Sequence, residues 1–254
     1  MAKVLIVKEK KETIDGRERT VIKEMKYYVE NLDKDIKTKY GTISKEDLKK
    51  EGTIKSSTGK EFLIFNAGFA DEFNELKKLP QGINKKDIGI IMAETGVDKN
   101  SIVVDAGTGS GHLASYLAHI CKEVYTYEIK ENHLEISRKN AVTLGLKNIT
   151  FFQGSVYDEI KEKDIDIITL DLPEPVKAID NSIKALKRGG HLVVYMPCLP
   201  ALEEFIKEVK QRNELYYVKT IELIERKWKI EGKIVRPDNV EIGHTAFLCF
   251  VRRV

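Results

Sequence analysis
The chain has 254 residues, 42% of them apolar and 33% charged, and its 43 basic against 40 acidic side chains leave a net charge of +3. That length buries a sizeable core in one large domain, or in a large and a small one, and the composition excludes disordered and collagen-like classes. The longest apolar runs, such as residues 88–93, fall well short of the roughly 18–20 residues of a membrane helix, and the few apolar residues at the start are too few for a signal-peptide core, so a cytoplasmic protein with no membrane partner is expected.

Residues 1–65 carry short β-like runs at 4–7, 26–29 and 61–65, separated by turn chemistry at Asp15-Gly16, Tyr40-Gly41 and Thr58-Gly59, and read as a small β-rich module. The first 70 residues hold 16 basic and 12 acidic side chains, so the positive excess lies there; it is either an ordinary solvated surface or a mild attraction for polyanions. Residues 71–84, with Leu76, Leu79 and Pro80, read as a linker, and apolar Ile88, Ile91 and Met92 on one face predict a helix over 86–95.

From residue 101 short β-branched runs alternate with helical stretches, which is βαβ order. Strands are predicted at 102–106, 124–129, 149–152, 165–170 and 192–196, and helices at about 112–120, 132–144, 176–186 and 201–212. Apolar strands such as 165–168 suit a central parallel sheet covered on both faces. Residues 216–225 and 245–251 are long β-like runs with no helix between them, which predicts an antiparallel pair closing the sheet. A dinucleotide-binding fold would continue with another βαβ half instead. Cys121, Cys198 and Cys249 form no CxxC pair and lie in apolar surroundings, so they are expected as small core residues, with neither a disulfide nor a metal site.

The first constellation with chemistry in it runs Val104-Asp105-Ala106-Gly107-Thr108-Gly109-Ser110-Gly111-His112: a hydrophobic strand ending in an acid, three glycines at alternate positions, then a helix start. Glycines there permit backbone angles closed to other residues and let a ligand approach the chain. Alone, such a loop is as often a tight connection as a site. Glu128 changes the weighing, because it ends the next strand, 17 residues after Gly111, where a carboxylate can accept both hydroxyl hydrogens of a ribose. The two features in this order predict an adenosine-containing cofactor. Pyrophosphate sites want G-x-G-x-x-G, whereas here the third glycine comes one residue early and Asp105 precedes the loop. S-adenosylmethionine has no phosphates and carries an ammonium and a sulfonium, beside which an acid is favourable. The second constellation, Asp171-Leu172-Pro173-Glu174-Pro175, lies at the tip of the 165–170 strand. Asp171 is either a helix cap or a site carboxylate able to accept a hydrogen bond from an exocyclic amine, and its tip shares an edge with Gly107 and Glu128.

The D-x-G-x-G-S-G run resembles the first motif of the class I S-adenosylmethionine-dependent methyltransferases, whose Rossmann-like α/β fold has a mostly parallel sheet with an antiparallel C-terminal strand pair. The Asp171 to Pro175 segment, Arg236-Pro237 and Gly243-His244-Thr245-Ala246-Phe247-Leu248 resemble the tRNA (adenine-N1)-methyltransferases that modify the T-loop. The likeness extends to residues 52–63, matching that family's small N-terminal β-domain, and to Pro80-Gln81 with Lys86-Asp87, matching its approach to the cofactor pocket. The resemblance implies a β-rich domain over 1–70, a linker and leading helix over 71–100, and a methyltransferase domain over 101–254. It implies S-adenosyl-L-methionine as cofactor, held by Gln81, Asp105, Gly107, Gly109, Ser110, Gly111, His112, Glu128, His133, Ser155 and Asp171, with Asp171 also the catalytic residue facing the target adenine. It implies tRNA as substrate, methylated at N1 of the adenine at tRNA position 58 with position 57 a second candidate, and a homotetramer as the assembly. Ser155 stands where the family usually has Asp, Val176 where many members have Trp, and Asn84 and Lys85 where a ring residue is common.

Three other readings compete. A class I methyltransferase with a small-molecule substrate, such as a corrinoid precursor, fits residues 101–197 but leaves the β-rich N-terminus unexplained. A nicotinamide-dependent dehydrogenase conflicts with the glycine spacing and the antiparallel ending. A non-catalytic RNA-binding subunit would be expected to lose its glycines or Asp171, and both are present. His244 is read as a structural residue or a substrate or subunit contact, Tyr216, Tyr217 and Trp228 as packing or interface residues, and Arg226, Lys227, Lys229 and Lys233 as partners for backbone phosphates.

Overall fold
The computed structural model describes every residue except 16, 81, 232, 233 and 240–242, and every side chain but those of 17, 18 and 231 in addition. The described residues fall into two compact units, Met1–Leu76 and Lys77–Val254.

In the first unit the strands are β1 (Lys3–Val7), β2 (Lys10–Ile14), β3 (Arg17–Ile22), β4 (Met25–Val29), β5 (Ile36–Thr38), β6 (Gly41–Ile43), β7 (Gly52–Lys55) and β8 (Glu61–Asn66), with helices α1 (Lys45–Leu48) and α2 (Phe69–Glu75). An antiparallel sheet of order β4-β1-β8-β7 packs Leu5, Val7, Val29, Ile54, Phe62 and Ile64 with Ile43 and Leu48 into one core. β2–β3 and β5–β6 are separate two-stranded ribbons. The three turn dipeptides read from the sequence each join an observed strand pair: β2–β3, β5–β6 and β7–β8. Asp15, Gly41 and Gly59 take φ of 52°, 100° and 79°, the left-handed region such turns demand. Residues 69–75 are helical where a linker was expected from 71 onward; the Asp71 carboxylate accepts the Gly68 N–H (3.2 Å) and so caps the first turn.

The second unit contains α3 (Lys85–Thr95), β9 (Ile102–Ala106), α4 (His112–Ala118), β10 (Glu123–Glu128), α5 (Glu131–Thr143), β11 (Ile149–Gln153), β12 (Ile165–Leu170), a 3-10 turn over Pro175–Ala178, α6 (Ile179–Ala185), β13 (Leu186–Met196), α7 (Leu199–Lys210), β14 (Leu215–Glu222), β15 (Trp228–Glu231), β16 (Ile234–Pro237) and β17 (Phe247–Arg253). Its seven-stranded sheet has the order β11-β10-β9-β12-β13-β17-β14. β9 to β13 are parallel, and β17 lies antiparallel between β13 and β14. Val104, Ile165, Ile168, Leu192 and Val194 are all at or near zero exposure, as strands covered on both faces require. α7 buries Leu202, Phe205 and Val209, one stripe of an amphipathic helix, against that core. β15–β16 is a further two-stranded ribbon that the sequence reading did not anticipate.

The chain leaves β9 in one direction through β10 and β11 and in the other through β12 and β13. This reversal opens a crevice at the carboxyl ends of β9, β10 and β12, the position where open α/β sheets take their ligands. No helix among the described residues is long and apolar enough to cross a membrane.

Candidate functional site
A cavity of about 710 Å³ occupies that crevice. Of the residues singled out from the sequence, Asp105, Gly107, Gly109, Ser110, His112, Glu128, His133, Ser155 and Asp171 line it. Gly111 stands just behind the loop, and Gln81 lies outside the described residues.

Asp105, next to last in β9, is 2% exposed; its two oxygens accept the Thr126 and Thr169 hydroxyls, each at 2.8 Å, so one carboxylate ties together β10, β9 and β12. Burial pushes its pKa up to about 6 against the opposing effect of those hydroxyls, and Glu128 adds to the rise. The loop then turns on glycines for specific reasons. The Gly107 and Thr108 N–H groups both donate to the Tyr127 carbonyl (3.0 and 3.2 Å), and at φ 90° a Cβ on Gly107 would overlap the Asp171 carbonyl oxygen. At Gly111, φ 74°, a Cβ would overlap the Ser137 hydroxyl of α5. The glycines thus let the loop sit against its neighbours as well as against a ligand.

Glu128, 8% exposed at the tip of β10, accepts the Gly109 N–H on Oε2 and the Lys130 N–H on Oε1, both at 3.0 Å, and His133 Nδ1 lies 3.4 Å from Oε2. It therefore shapes the glycine loop besides facing the cavity. Ser110 Oγ lies 2.8 Å from His112 Nδ1, and burial, with Lys78 adding a smaller effect, lowers the His112 pKa to about 4, so this imidazole is neutral at ordinary pH. Ser155 Oγ accepts the Tyr157 N–H (3.1 Å), starting the turn that follows β11 while it lines the cavity wall.

Asp171 follows β12, its N–H donating to the Ala106 carbonyl at 2.9 Å. Its pKa is pushed up to about 7, first by burial and then by the charges of Asp105 and Glu128. Three carboxyl groups therefore crowd one cavity and make it a site for a cation. Beyond Asp171 the wall is Leu172 and Pro173, with the Tyr157 hydroxyl accepting the Glu174 N–H (3.2 Å) and so fixing the loop's path. Met196, Pro197 and Cys198 close the far side. Cys198 is exposed, correcting the expectation of a core thiol; Cys121 and Cys249 are buried as expected.

Two of the quoted segments meet behind this site although about 158 residues separate them. Asp87, fully buried, is paired with Lys86 Nζ (2.7 Å) and accepts the Thr245 hydroxyl (3.0 Å); Lys86 also donates to that hydroxyl (2.7 Å), and the Tyr195 hydroxyl lies 3.5 Å from Asp87. His244 bridges Glu222 (Nδ1, 2.5 Å) and the Pro197 carbonyl (Nε2, 3.1 Å) outside the cavity. Arg236-Pro237 lies on the β15–β16 ribbon and is not among the lining residues. Tyr216 and Trp228 are 62% and 57% exposed, so both lie mostly on the surface and not in the core. Lys233 falls outside the described residues. No cluster of metal-ligating side chains occurs among the described residues.

Sheet order, switch-point cavity and glycine loop together are those of the class I methyltransferase fold. Solved structures similar to it include an S-adenosylmethionine-dependent O-methyltransferase from Thermotoga maritima (26% identity, TM-score 0.79, covering 99% of this chain and 92% of that one) and the tRNA (m1A58) methyltransferase TrmI from Aquifex aeolicus (22%, TM-score 0.77, 99% and 96%). The family described as tRNA methyltransferase complex GCD14 subunit matches residues 74–246, and the chain belongs to that family. Within curated proteins it is 31% identical over 245 residues to the tRNA (adenine(57)-N(1)/adenine(58)-N(1))-methyltransferase TrmI of Methanocaldococcus jannaschii, covering 85% of this chain and 86% of that protein.

Proposed function
We propose that the protein transfers a methyl group from S-adenosyl-L-methionine to N1 of an adenine in the T-loop of tRNA, at position 58 with position 57 as a second acceptor. The observation that carries the reading is the acid-lined cavity of a GCD14-family chain, in which Glu128 at the tip of β10 and Asp171 after β12 face one space from either side of β9. The residues fit the cofactor: it brings an ammonium and a sulfonium to a cavity lined by three carboxyls, where Glu128 helps raise the pKa of Asp105 and both help raise that of Asp171, and it needs no phosphate site.

Glu128 would hold the ribose hydroxyls, Gly109, Ser110 and His112 the methionine end, and Ser155 the adenine, with Gln81 and His133 beside them. Ser155 supplies a hydrogen bond without charge where the family usually has a carboxylate. When bound, S-adenosylmethionine supplies an electrophilic methyl group. Adenine N1 carries an in-plane lone pair and no proton, so no general base is required of the protein. Asp171 accepts a hydrogen bond from the N6 amine, which orients N1 and stabilises the positive charge that accumulates on the base. N1 lies on the Watson–Crick edge, so the target base leaves its stack to enter the cavity. Leu172 and Pro173 present an apolar wall to it, and Val176, standing where many members have Trp, cannot stack on the base. Cytoplasmic location and assembly as a homotetramer belong to the same reading.

The test is incubation with methyl-labelled S-adenosylmethionine and unmodified tRNA, followed by digestion to nucleosides. Label in N1-methyladenosine is expected. Label confined to another nucleoside, or transferred only to a small-molecule hydroxyl, contradicts the proposal.

A further inference from the structure
Asn140, on the buried face of α5, is 4% exposed and touches two walls of the cavity without lining it. Its Nδ2 donates to the carbonyl oxygens of Lys77 (2.9 Å) and Ser110 (2.8 Å), and its Oδ1 accepts the Lys77 N–H (3.1 Å). The amide orientation is forced, because a flipped side chain would set its oxygen against two carbonyls and its NH₂ against an N–H. Ser110 belongs to the glycine loop; Lys77 opens the segment that supplies Leu79, Pro80, Gly82 and Ile83 to the opposite wall. Among the described residues, the only hydrogen bonds made by the backbone of residues 77–80 go to Asn140. That segment is otherwise held by side-chain packing, with Lys77 and Lys78 exposed and Ile83 buried.

We propose that Asn140 is a positioning residue for the cofactor: a latch that fixes the strap 77–80 against the glycine loop and so sets the width of the cavity. The inference rests on the proposal that this cavity takes S-adenosylmethionine. A buried side chain that satisfies three backbone groups from two segments 30 and 63 residues away defines their separation more tightly than apolar contact does. Its α5 neighbour Ser137, three residues earlier on the same face, packs under Gly111, so one helix face supports the loop at two points.

Asn148 provides a matched control. Its Nδ2 reaches the carbonyls of Ala118 (2.9 Å), Cys121 (3.1 Å) and Lys122 (3.3 Å) at the opposite edge of the sheet, so it is an equally structural amide far from the cavity. Calorimetry with S-adenosylmethionine and limited trypsin digestion are compared for the wild type, Asn140→Ala and Asn148→Ala. Asn140→Ala is expected to bind the cofactor at least ten-fold more weakly and, without cofactor, to be cut after Lys77 or Lys78 at least ten-fold faster. Asn148→Ala should lower the melting temperature with less than a two-fold change in either. If Asn140→Ala does not fold, hydrogen exchange on the wild type decides: the Lys77 amide should be protected at least a hundred-fold relative to the Lys78 amide. Equal exchange of those amides, wild-type cleavage and affinity in Asn140→Ala, or equal losses in both variants overturns the latch. A wild type that binds no S-adenosylmethionine overturns the function proposed above instead, and the cleavage rates still decide whether Asn140 holds the strap.

Discussion

On the function proposed above, Asp171 is the residue on which chemistry and stability make opposite demands. Its carboxyl is raised from 3.8 to about 7, so below that pH it is protonated in the free protein and accepts poorly from an N6 amine. kcat/KM for methyl transfer should therefore fall as pH drops through about 7, and a pH profile measured at constant ionic strength checks this. Asp171→Asn should abolish that acid limb and lose on the order of 10²-fold in turnover, since the amide keeps an acceptor oxygen but not the charge. The stability effect has the opposite sign. An acid whose folded pKa lies above its unfolded one destabilises the fold most above the folded value, and the cost is relieved as pH falls through about 7 towards 4. Asp171→Asn should accordingly melt higher than wild type at pH 8 without cofactor, and a lower melting point there would contradict the buried-carboxylate account.

Glu128 is a different case, because its oxygens already hold the Gly109 and Lys130 N–H groups. Glu128→Ala removes the support of the loop and, on the function proposed above, a ligand for the ribose as well. Cofactor affinity should weaken by about 1.5–3 kcal/mol, the size of a lost charge-assisted hydrogen bond, with the fold retained. Calorimetry showing undiminished affinity would take Glu128 out of the site. The places of single residues on the cavity were legible in the sequence wherever a motif fixed their strand tip, as at Asp105, Glu128 and Asp171. Asn140 and Tyr157 were not, because their partners are backbone groups 17 to 63 residues away, and no spacing in the sequence reports such a contact.

At the scale of elements, what the sequence revealed depended on how much of each element is buried. β9 and β12, central and apolar, appear at the residues expected, 102–106 and 165–170. The antiparallel closure is likewise as expected, with β14 and β17 paired over Leu215–Arg253 to Glu222–Phe247. The ribbon β2–β3 was hard to read because β2 is polar and exposed at all five positions, so no alternation marks it; β15 and β16 carry apolar Trp228, Ile230, Ile234 and Val235, but at four residues each they are too short for a period to stand out. Only the turn dipeptide at Asp15-Gly16 signalled the first of them. α2, at seven residues, is too short to show a period, and its cap, Gly68 with Asp71, is the one local signal it carries. α7 shows the opposite limit, an amphipathic helix read almost to its ends. Because Phe205 is fully buried in the main core, Phe205→Ala should destabilise the protein by about 3–5 kcal/mol, measured as a shift of the denaturation midpoint at constant slope. A shift under 1 kcal/mol would mean that α7 is docked less tightly than its burial indicates.

For the whole molecule, charge is nearly balanced, and recognition of RNA cannot rest on net attraction. It has to come from local lysines and arginines placed along the path of the backbone, each releasing counterions when it meets a phosphate. tRNA affinity should then fall steeply between about 50 and 200 mM salt, whereas S-adenosylmethionine affinity, set inside a cavity, should change little. Parallel salt titrations of the two ligands separate these cases, and a salt-independent tRNA affinity would argue for recognition by shape and stacking alone.

The most direct test of the central claim is primer extension across the T-loop of a tRNA transcript incubated with the protein and S-adenosylmethionine. A methyl group at N1 blocks the pairing edge and stops the polymerase. The account predicts a cofactor-dependent stop at the adenine of position 58, with any second stop at 57, lost when those adenines are replaced by guanine and strongly reduced with Asp171→Asn. Read-through of the T-loop, with stops elsewhere or none while the protein binds cofactor, would contradict it.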